Sequence, residues 1–477
     1  MAVPNDIFFA SITELGAKLR AKEFSAVELT RAFCDRLERI GPRYNALALS
    51  LRPQAIRQAQ TVDDDLKRGR TRGPLQGIPY GAKDLLAVKG QPTTWGAKPF
   101  AAQVFDEDAK VIQNLNKAGA ILIGKLAMVE LAGGGGYRFA SASLTGPGLN
   151  PWDRSRWSGG SSSGSGAATA AGLVTFALGS ETSGSILTPS AFCGVTGLRP
   201  TYGLVSRRGA MALSWTLDKI GPMCRSAEDC GLVLQTIAGG DSEDPGSAGR
   251  KFTYLPRYAR KPQEITLGYA PVDFDGWTEP DARPALRGAL EVFRSLGFKM
   301  KELELPDFPY DSLVQVIIAG EAGAVFEDLI RSGRVDELAD KEQIAGLKAA
   351  VDLPAVDYLR AMRVRSLVQE AFRQLFLDVD MLLAPARGGA APKVSDPLDG
   401  SRGPSFPRPA SRGLSGIIPA GNLAGLPALS LPCGFAGNLP LGISIVGRPF
   451  FENQMLDAGR AFQSQTDWHR RHPPVGE

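Results

Sequence analysis

The sequence predicts an α/β protein built on a mostly parallel or mixed sheet. Helical stretches alternate along the chain with short apolar runs, the pattern of strands buried between helices. Two S-x-x-E boxes open the N-terminal helices. Residues 157–198 carry one charged side chain, Glu181, so a long glycine- and serine-rich segment is expected inside the protein rather than on its surface.

Ser11 with Glu14 and Ser25 with Glu28 each predict a helix start, because the two side chains of such a box satisfy each other's unpaired backbone N–H groups. After the second box, Leu29, Phe33, Leu37 and Ile40 recur at helical spacing and form one buried stripe. The sequence GPLQGIPYGAKDLLAVKG then places Lys83 just after a short apolar segment punctuated by Gly77, Pro79 and Gly81. A helix is expected over 109–117 and a buried strand over 120–124. Residues 159–185 hold seven glycines and seven serines in 27 residues. Composition of that kind suggests a flexible linker, but an alanine-rich helical stretch and an apolar strand at 174–178 interrupt it. A polar loop follows at 241–256, an amphipathic helical region at 275–357 reads as an insertion or cap, and a Gly- and Pro-rich loop follows at 387–409. Apolar runs at 426–431 and 442–446 close the sheet.

Bulk properties narrow the function. The chain has 477 residues, 43% hydrophobic and 22% charged, as in an ordinary globular enzyme. A net charge of +4 gives nucleic-acid binding no support. No signal-like start and no apolar run near the roughly 18 residues of a membrane span is present, so a cytoplasmic protein without membrane contact is expected. Five cysteines, odd in number and without metal spacing, read as reduced thiols. The two histidines, His469 and His472, lie in the last ten residues. A serine–histidine–acid triad and a histidine-rich metal centre are therefore not expected, nor is any cofactor. The segment 119–125 begins like a phosphate loop, GxxxxGK, but Leu126 follows instead of Ser or Thr and AILI is strand-like, so nucleotide binding is set aside.

Acyl transfer needs a nucleophile, a base and donors for the oxyanion. Serine hydroxyls abound in 159–185. Lysine serves as a base only when burial lowers its pKa. The apolar flanks of Lys83 allow that, and a surface lysine paired with Asp84 is the other reading of the same residues. In SETSGSILTP, the small residues Thr182, Ser183 and Gly184 precede Ser185, and a short helix starting before Pro189 would aim consecutive N–H groups at one point. A plain N-cap serine fits the same segment.

The run NPWDRSRWSGGSSSGSGAATAAGLVTFALGSETSGSILTPSAFCGVTGLRPTYG resembles the signature of the amidase signature family. GIPYGAKD resembles its lysine motif, and SWTLDKIGPMCRSAEDC, LAGLPALSLPCGF and PLGISIVGRPF resemble its later blocks, so the likeness covers nearly the whole chain. The resemblance implies one amidase signature domain over 1–477, with a large mixed, mostly parallel-type sheet covered by helices on both faces. Within it, a helical part spans about 1–70, a catalytic core about 71–240 and 410–465, and a variable helical cap about 257–409. It implies Ser185 as nucleophile, Ser161 as proton relay and Lys83 as base, with the backbone amides of Thr182, Ser183, Gly184 and Ser185 as oxyanion hole. Ser162 and Ser163 have a supporting role at most. Gly133, Gly134 and Gly135 match a loop beside the scissile carbonyl and are candidate substrate contacts.

Three positions depart from the family's motif. Glu181 replaces an aspartate, Ser183 a glycine and Leu187 an arginine, which raises the question of how the loop is braced. The expected activity is hydrolysis of small or aryl amides, with carbamates and esters as further substrates, by a monomer or homodimer with no nucleic-acid partner. The alternative is the glutamine-hydrolysing subunit of a tRNA-dependent amidotransferase.

Overall fold

The structure, a computed structural model, describes residues 5–256, 260–399, 401, 406, 408–409 and 411–475; part of the loop read at 387–409 lies outside them. Thirteen strands are present among the described residues. They are β1 (Leu47–Ser50), β2 (Pro79–Lys83), β3 (Ile121–Leu126), β4 (Leu149–Asn150), β5 (Asp153–Trp157), β6 (Phe176–Glu181), β7 (Thr196–Arg199), β8 (Lys219–Cys224), β9 (Thr266–Tyr269), β10 (Lys299–Glu302), β11 (Met381–Pro385), β12 (Ala428–Ala436) and β13 (Leu439–Gly447). Eleven form one mixed sheet in the order β1-β3-β2-β6-β8-β7-β12-β13-β11-β9-β10, and β4 with β5 makes a separate ribbon leading into the glycine run. Helices cover the sheet, and every residue of β2, β3, β6 and β8 is buried. Strands buried on both faces read as continuous apolar runs, which is why β3 and β6 were legible in the sequence, whereas β8, interrupted by Lys219 and Pro222, was not read as a strand.

Both capping boxes form, at Ser11 with Glu14 and at Ser25 with Glu28. The helix Ala26–Ile40 buries Leu29, Phe33, Leu37 and Ile40, as its spacing requires. The run 159–185 becomes the helix Ser163–Ala170 followed by β6. The parallel pairs β2–β3 and β2–β6 put the C-terminal ends of three strands on one edge, where ligands gather in open α/β sheets. Lys83 ends β2, and residues 182–185 leave the end of β6 on the same edge. The helix Leu187–Cys193 starts before Pro189 and runs through it. Proline is tolerated there because first-turn N–H groups need no helical partner.

Some elements differ from the sequence expectation. The region after 257 contributes β9, β10 and β11 to the sheet as well as helices. β10 is KMKE, an edge strand with mostly exposed side chains, so it offers no apolar pattern to read. No helix among the described residues is long and apolar enough to cross a membrane.

The false phosphate-loop lysine, Lys125, is wholly buried and pairs with Asp84 at 2.7 Å. It also donates to the Thr93 hydroxyl at 2.7 Å. Breaking a buried pair leaves an uncompensated charge, so Asp84→Ala is expected to destabilise the fold by about 3–5 kcal/mol. Urea unfolding measures this, and the double variant Asp84→Leu/Lys125→Met is expected to recover most of the loss.

Candidate active site

Lys83 has no solvent exposure. Its Nζ donates to Ser161 Oγ at 2.7 Å and to Ser180 Oγ at 2.9 Å, and lies 3.5 Å from the Ser180 carbonyl oxygen. Burial lowers its pKa from 10.5 to about 7, against the opposing pull of Asp218 and Glu181. The surface reading of Lys83 fails because Asp84 belongs to Lys125.

The glycines before Ser161 are sterically required. A Cβ on Gly160 would stand 2.8 Å from Trp157 and from Val129, and one on Gly159, whose φ is +86°, would stand 2.6 Å from Pro189 Cα. The Gly160–Ser161 peptide bond is cis. Ser161 is 1% exposed, and its carbonyl accepts from the Val129 N–H at 3.0 Å. The next residue ties the serines' two segments together, since the Ser162 N–H donates to the Ser185 carbonyl at 3.3 Å. Ser162 Oγ is held by the backbone of Ser180, and Ser163 Oγ donates to the Ala127 carbonyl at 3.5 Å. Both hydroxyls therefore support the backbone.

Ser185 sits in the bend between β6 and the helix Leu187–Cys193 and is 8% exposed. Gly184 takes φ +88°, and a Cβ there would meet Ile418 at 3.3 Å. Among the described residues, the N–H groups of 182–185 have no acceptor within the protein. Four adjacent backbone donors are thus available to an oxyanion. Thr182 Oγ1 donates to Asp218 at 2.6 Å, which anchors the start of the bend.

Glu181 braces the bend from below. Its Oε2 accepts the N–H groups of Ile186 and Leu187 at 2.9 and 3.0 Å. Its Oε1 pairs with Arg199 at 2.8 Å and accepts from Asn422 at 2.9 Å. Burial alone would raise this carboxyl, but Arg199, Asn422 and the Leu187 N–H outweigh it and hold the pKa at about 2. Position 187 is a buried leucine, and the positive charge comes instead from Arg199 at the end of β7. Sequence reasoning missed Ser180, Arg199, Asn422 and Asp218. Arg199 carried a signal, as it is the next charged residue after Glu181. Ser180 lay among too many serines to stand out.

The loop 133–135 packs against protein. Gly134 faces Leu213 and Phe326, Gly135 faces Gln343 and Leu347, and Gly133 faces the ring of Tyr137. The Tyr137 hydroxyl in turn lies 3.3 Å from where a Gly160 Cβ would stand. Two cavities flank 180–185. The smaller, about 470 Å³, is lined by Ser180, Thr182, Asp218 and Lys219 with apolar walls at Met211 and Leu213. The larger, about 920 Å³, is lined by Ser183, Ile418, Trp277, Tyr310 and Arg387.

A family model described as Amidase matches residues 28–456. The chain is 36% identical to the A subunit of the glutamyl-tRNA(Gln) amidotransferase of Carboxydothermus hydrogenoformans, over 98% of this chain and 100% of that one. A solved structure, described as a vestigial protein complex revealing the origins of an s-triazine catabolic enzyme, has TM-score 0.85 and 30% identity, covering 96% of this chain and 98% of that one. The peptide amidase of Stenotrophomonas maltophilia has TM-score 0.80 and 29% identity, with 98% of each chain covered. These relatives correct one expectation, that of a small-molecule enzyme acting as a monomer or homodimer with no nucleic-acid partner. By name, the first is one subunit of an enzyme for a tRNA-borne substrate. The expectation rested on the net charge of +4, which describes one chain's own surface and is blind to any face that partner chains supply.

Keeping Lys83 in the interior costs stability. A pKa near 7 in the folded chain against 10.5 outside corresponds to roughly 4–5 kcal/mol, present in full below pH 7 and fading as pH rises toward 10.5. Lys83→Met removes that cost and loses about 1–3 kcal/mol of hydrogen bonding at Ser161 and Ser180. Its unfolding free energy in urea is expected to exceed wild type by about 2 kcal/mol at pH 6. By pH 10 the advantage is expected to be gone.

Proposed function

This chain belongs to the amidase (amidase signature) family, and on that premise we propose that it hydrolyses the side-chain amide of glutamine through a serine acyl-enzyme, as the glutamine-hydrolysing subunit of an amidotransferase for glutamyl-tRNA(Gln). The observation that carries the chemistry is the 2.7 Å contact between Lys83 Nζ and Ser161 Oγ at a buried amine with a pKa near 7. The subunit role is supported by 36–38% identity over 97–99% of this chain to the A subunits of glutamyl-tRNA(Gln) amidotransferases from several organisms.

Neutral Lys83 takes a proton from Ser161, which takes one from Ser185 as its Oγ attacks the amide carbon. The oxyanion settles among the N–H groups of 182–185. As the C–N bond breaks, the proton returns through Ser161 to the leaving nitrogen, and ammonia departs. Water then attacks the acyl-enzyme, giving its proton to the same relay, and Ser185 is released. The ammonia is handed on for transfer to glutamyl-tRNA(Gln). A second reading, a free-standing amidase for small or aryl amides, carbamates or esters, draws support from the likeness to the peptide amidase.

Ser185→Ala is expected to reduce amide hydrolysis to background, and Lys83→Met to lower kcat by about 10²- to 10⁴-fold, the usual worth of a general base. For wild type, kcat/KM is expected to rise with pH and level off above about 7, as Lys83 loses its proton. Near-normal turnover in either variant, or a flat profile with chemistry limiting, overturns the mechanism. Glutaminase activity that appears only with co-purified subunits supports the subunit role, and full activity of the lone chain on small amides replaces it with the second reading.

A further inference from the structure

Among the described residues, Arg387 is a cation beside the nucleophile's loop with neither a carboxylate in ion-pair contact nor a hydrogen-bond acceptor. It follows β11 and lines the larger cavity together with Ser183 and with Ile418, the side chain that faces Gly184. Its guanidinium lies 5.9 Å from the ring of Phe192, in the helix that follows Ser185. On its other side it interacts electrostatically with Tyr137, whose hydroxyl adjoins the Gly160–Ser161 peptide. The charge thus lies beside the helix that follows Ser185 and within electrostatic range of the tyrosine that adjoins Gly160. Among the described residues no carboxylate lies within 4.0 Å of it and no protein acceptor takes its N–H groups. Asp311, across the cavity, is within electrostatic range but outside that distance.

Asp307, Asp311 and Arg412 also line the cavity, and several other charged groups nearby are occupied. Arg199 is paired with Glu181, and Arg365 donates to the carbonyls of Leu423 and Thr216. Arg408 lies over the Trp277 ring, Asp273 accepts from the Leu414 N–H and Glu304 from the Ser411 hydroxyl. Arg387 has an exposed surface at the cavity, and surrounding protein lowers its pKa by desolvation. A guanidinium so placed presents a planar fork of N–H donors matched to a carboxylate.

We propose that Arg387 receives a free carboxylate carried by the acyl part of the substrate, so that the enzyme selects amides of amino acids and other carboxylate-bearing amides over neutral ones. The proposal rests on Ser185 acting as the nucleophile of an amide hydrolase. It extends that reading to a substrate class and a residue that recognises it.

The test compares L-glutamine with 4-aminobutanamide, which keeps the amide and the ammonium but lacks the carboxylate, and succinamate with butanamide. Wild type, with any co-purifying subunits, is expected to prefer the carboxylate-bearing member of each pair. Arg387→Ala is expected to raise KM for those members about 10- to 100-fold with kcat little changed, while leaving kcat/KM for the neutral members within about twofold. Arg387→Lys is expected to restore part of the loss, since it keeps the charge and loses the fork. Calorimetric binding of L-glutamine to Ser185→Ala should weaken by the same factor when Arg387→Ala is added. Equal losses on both members of a pair, or a wild-type preference for the neutral ones, overturns the role of Arg387 and leaves the hydrolase intact. If wild type cleaves no amide above the Ser185→Ala background, the hydrolase reading falls and this proposal with it.

Discussion

The site depends on one constraint: an amine must be kept in the protein interior, next to a hydroxyl, where it sheds its charge near neutral pH. Water would hold Lys83 protonated at neutral pH, so the fold excludes water and supplies two hydroxyl oxygens in its place. Much of the architecture serves that exclusion. β2 is flanked by parallel strands on both sides, every residue along it is buried, and helices cover the sheet. The glycine run lets the backbone carrying Ser161 come close enough to meet the amine, since a Cβ on either preceding glycine would strike Trp157 or Pro189.

Carboxylates are positioned with equal care, because an acid paired directly with Lys83 would restore its charge. Asp84, its neighbour in sequence, is turned to Lys125. Glu181 is neutralised by Arg199 and consumed by the backbone of the bend it supports. Asp218 is taken up by Thr182 and by the N–H groups of Leu213 and Ser214. Position 187, where the family resemblance implies an arginine, holds a buried leucine, and the guanidinium that meets Glu181 comes from Arg199 of β7.

The sequence carried the outline of the site because its chemistry is written in short, contiguous motifs. Lys83, Ser161 and Ser185 stand in segments whose glycines and small residues mark close backbone approach, and the scarcity of histidine had already removed the commonest alternative. What it could not carry was whatever depends on distant parts of the chain. Asn422 reaches Glu181 from more than two hundred residues away, and nothing in its own surroundings announces that. The strand β10 was hidden because an exposed edge strand has no apolar rhythm. Whether Lys83 was buried or paired with Asp84 was undecidable locally, since the answer lay with Lys125 on the neighbouring strand. Partner chains leave still less trace, and the expectation of a solitary small-molecule enzyme gave way only to the relatives' names.

A lysine base must lose its proton near neutral pH, and the titration of Lys83 is directly measurable. Protein labelled with ¹³C at lysine Cε, followed by NMR across pH with Lys83→Met to assign the signal, reports that one amine without reference to any substrate. A midpoint near 7 is the predicted result. A midpoint near the ordinary lysine value of 10.5 would contradict it and would leave Ser161 and Ser185 without a base.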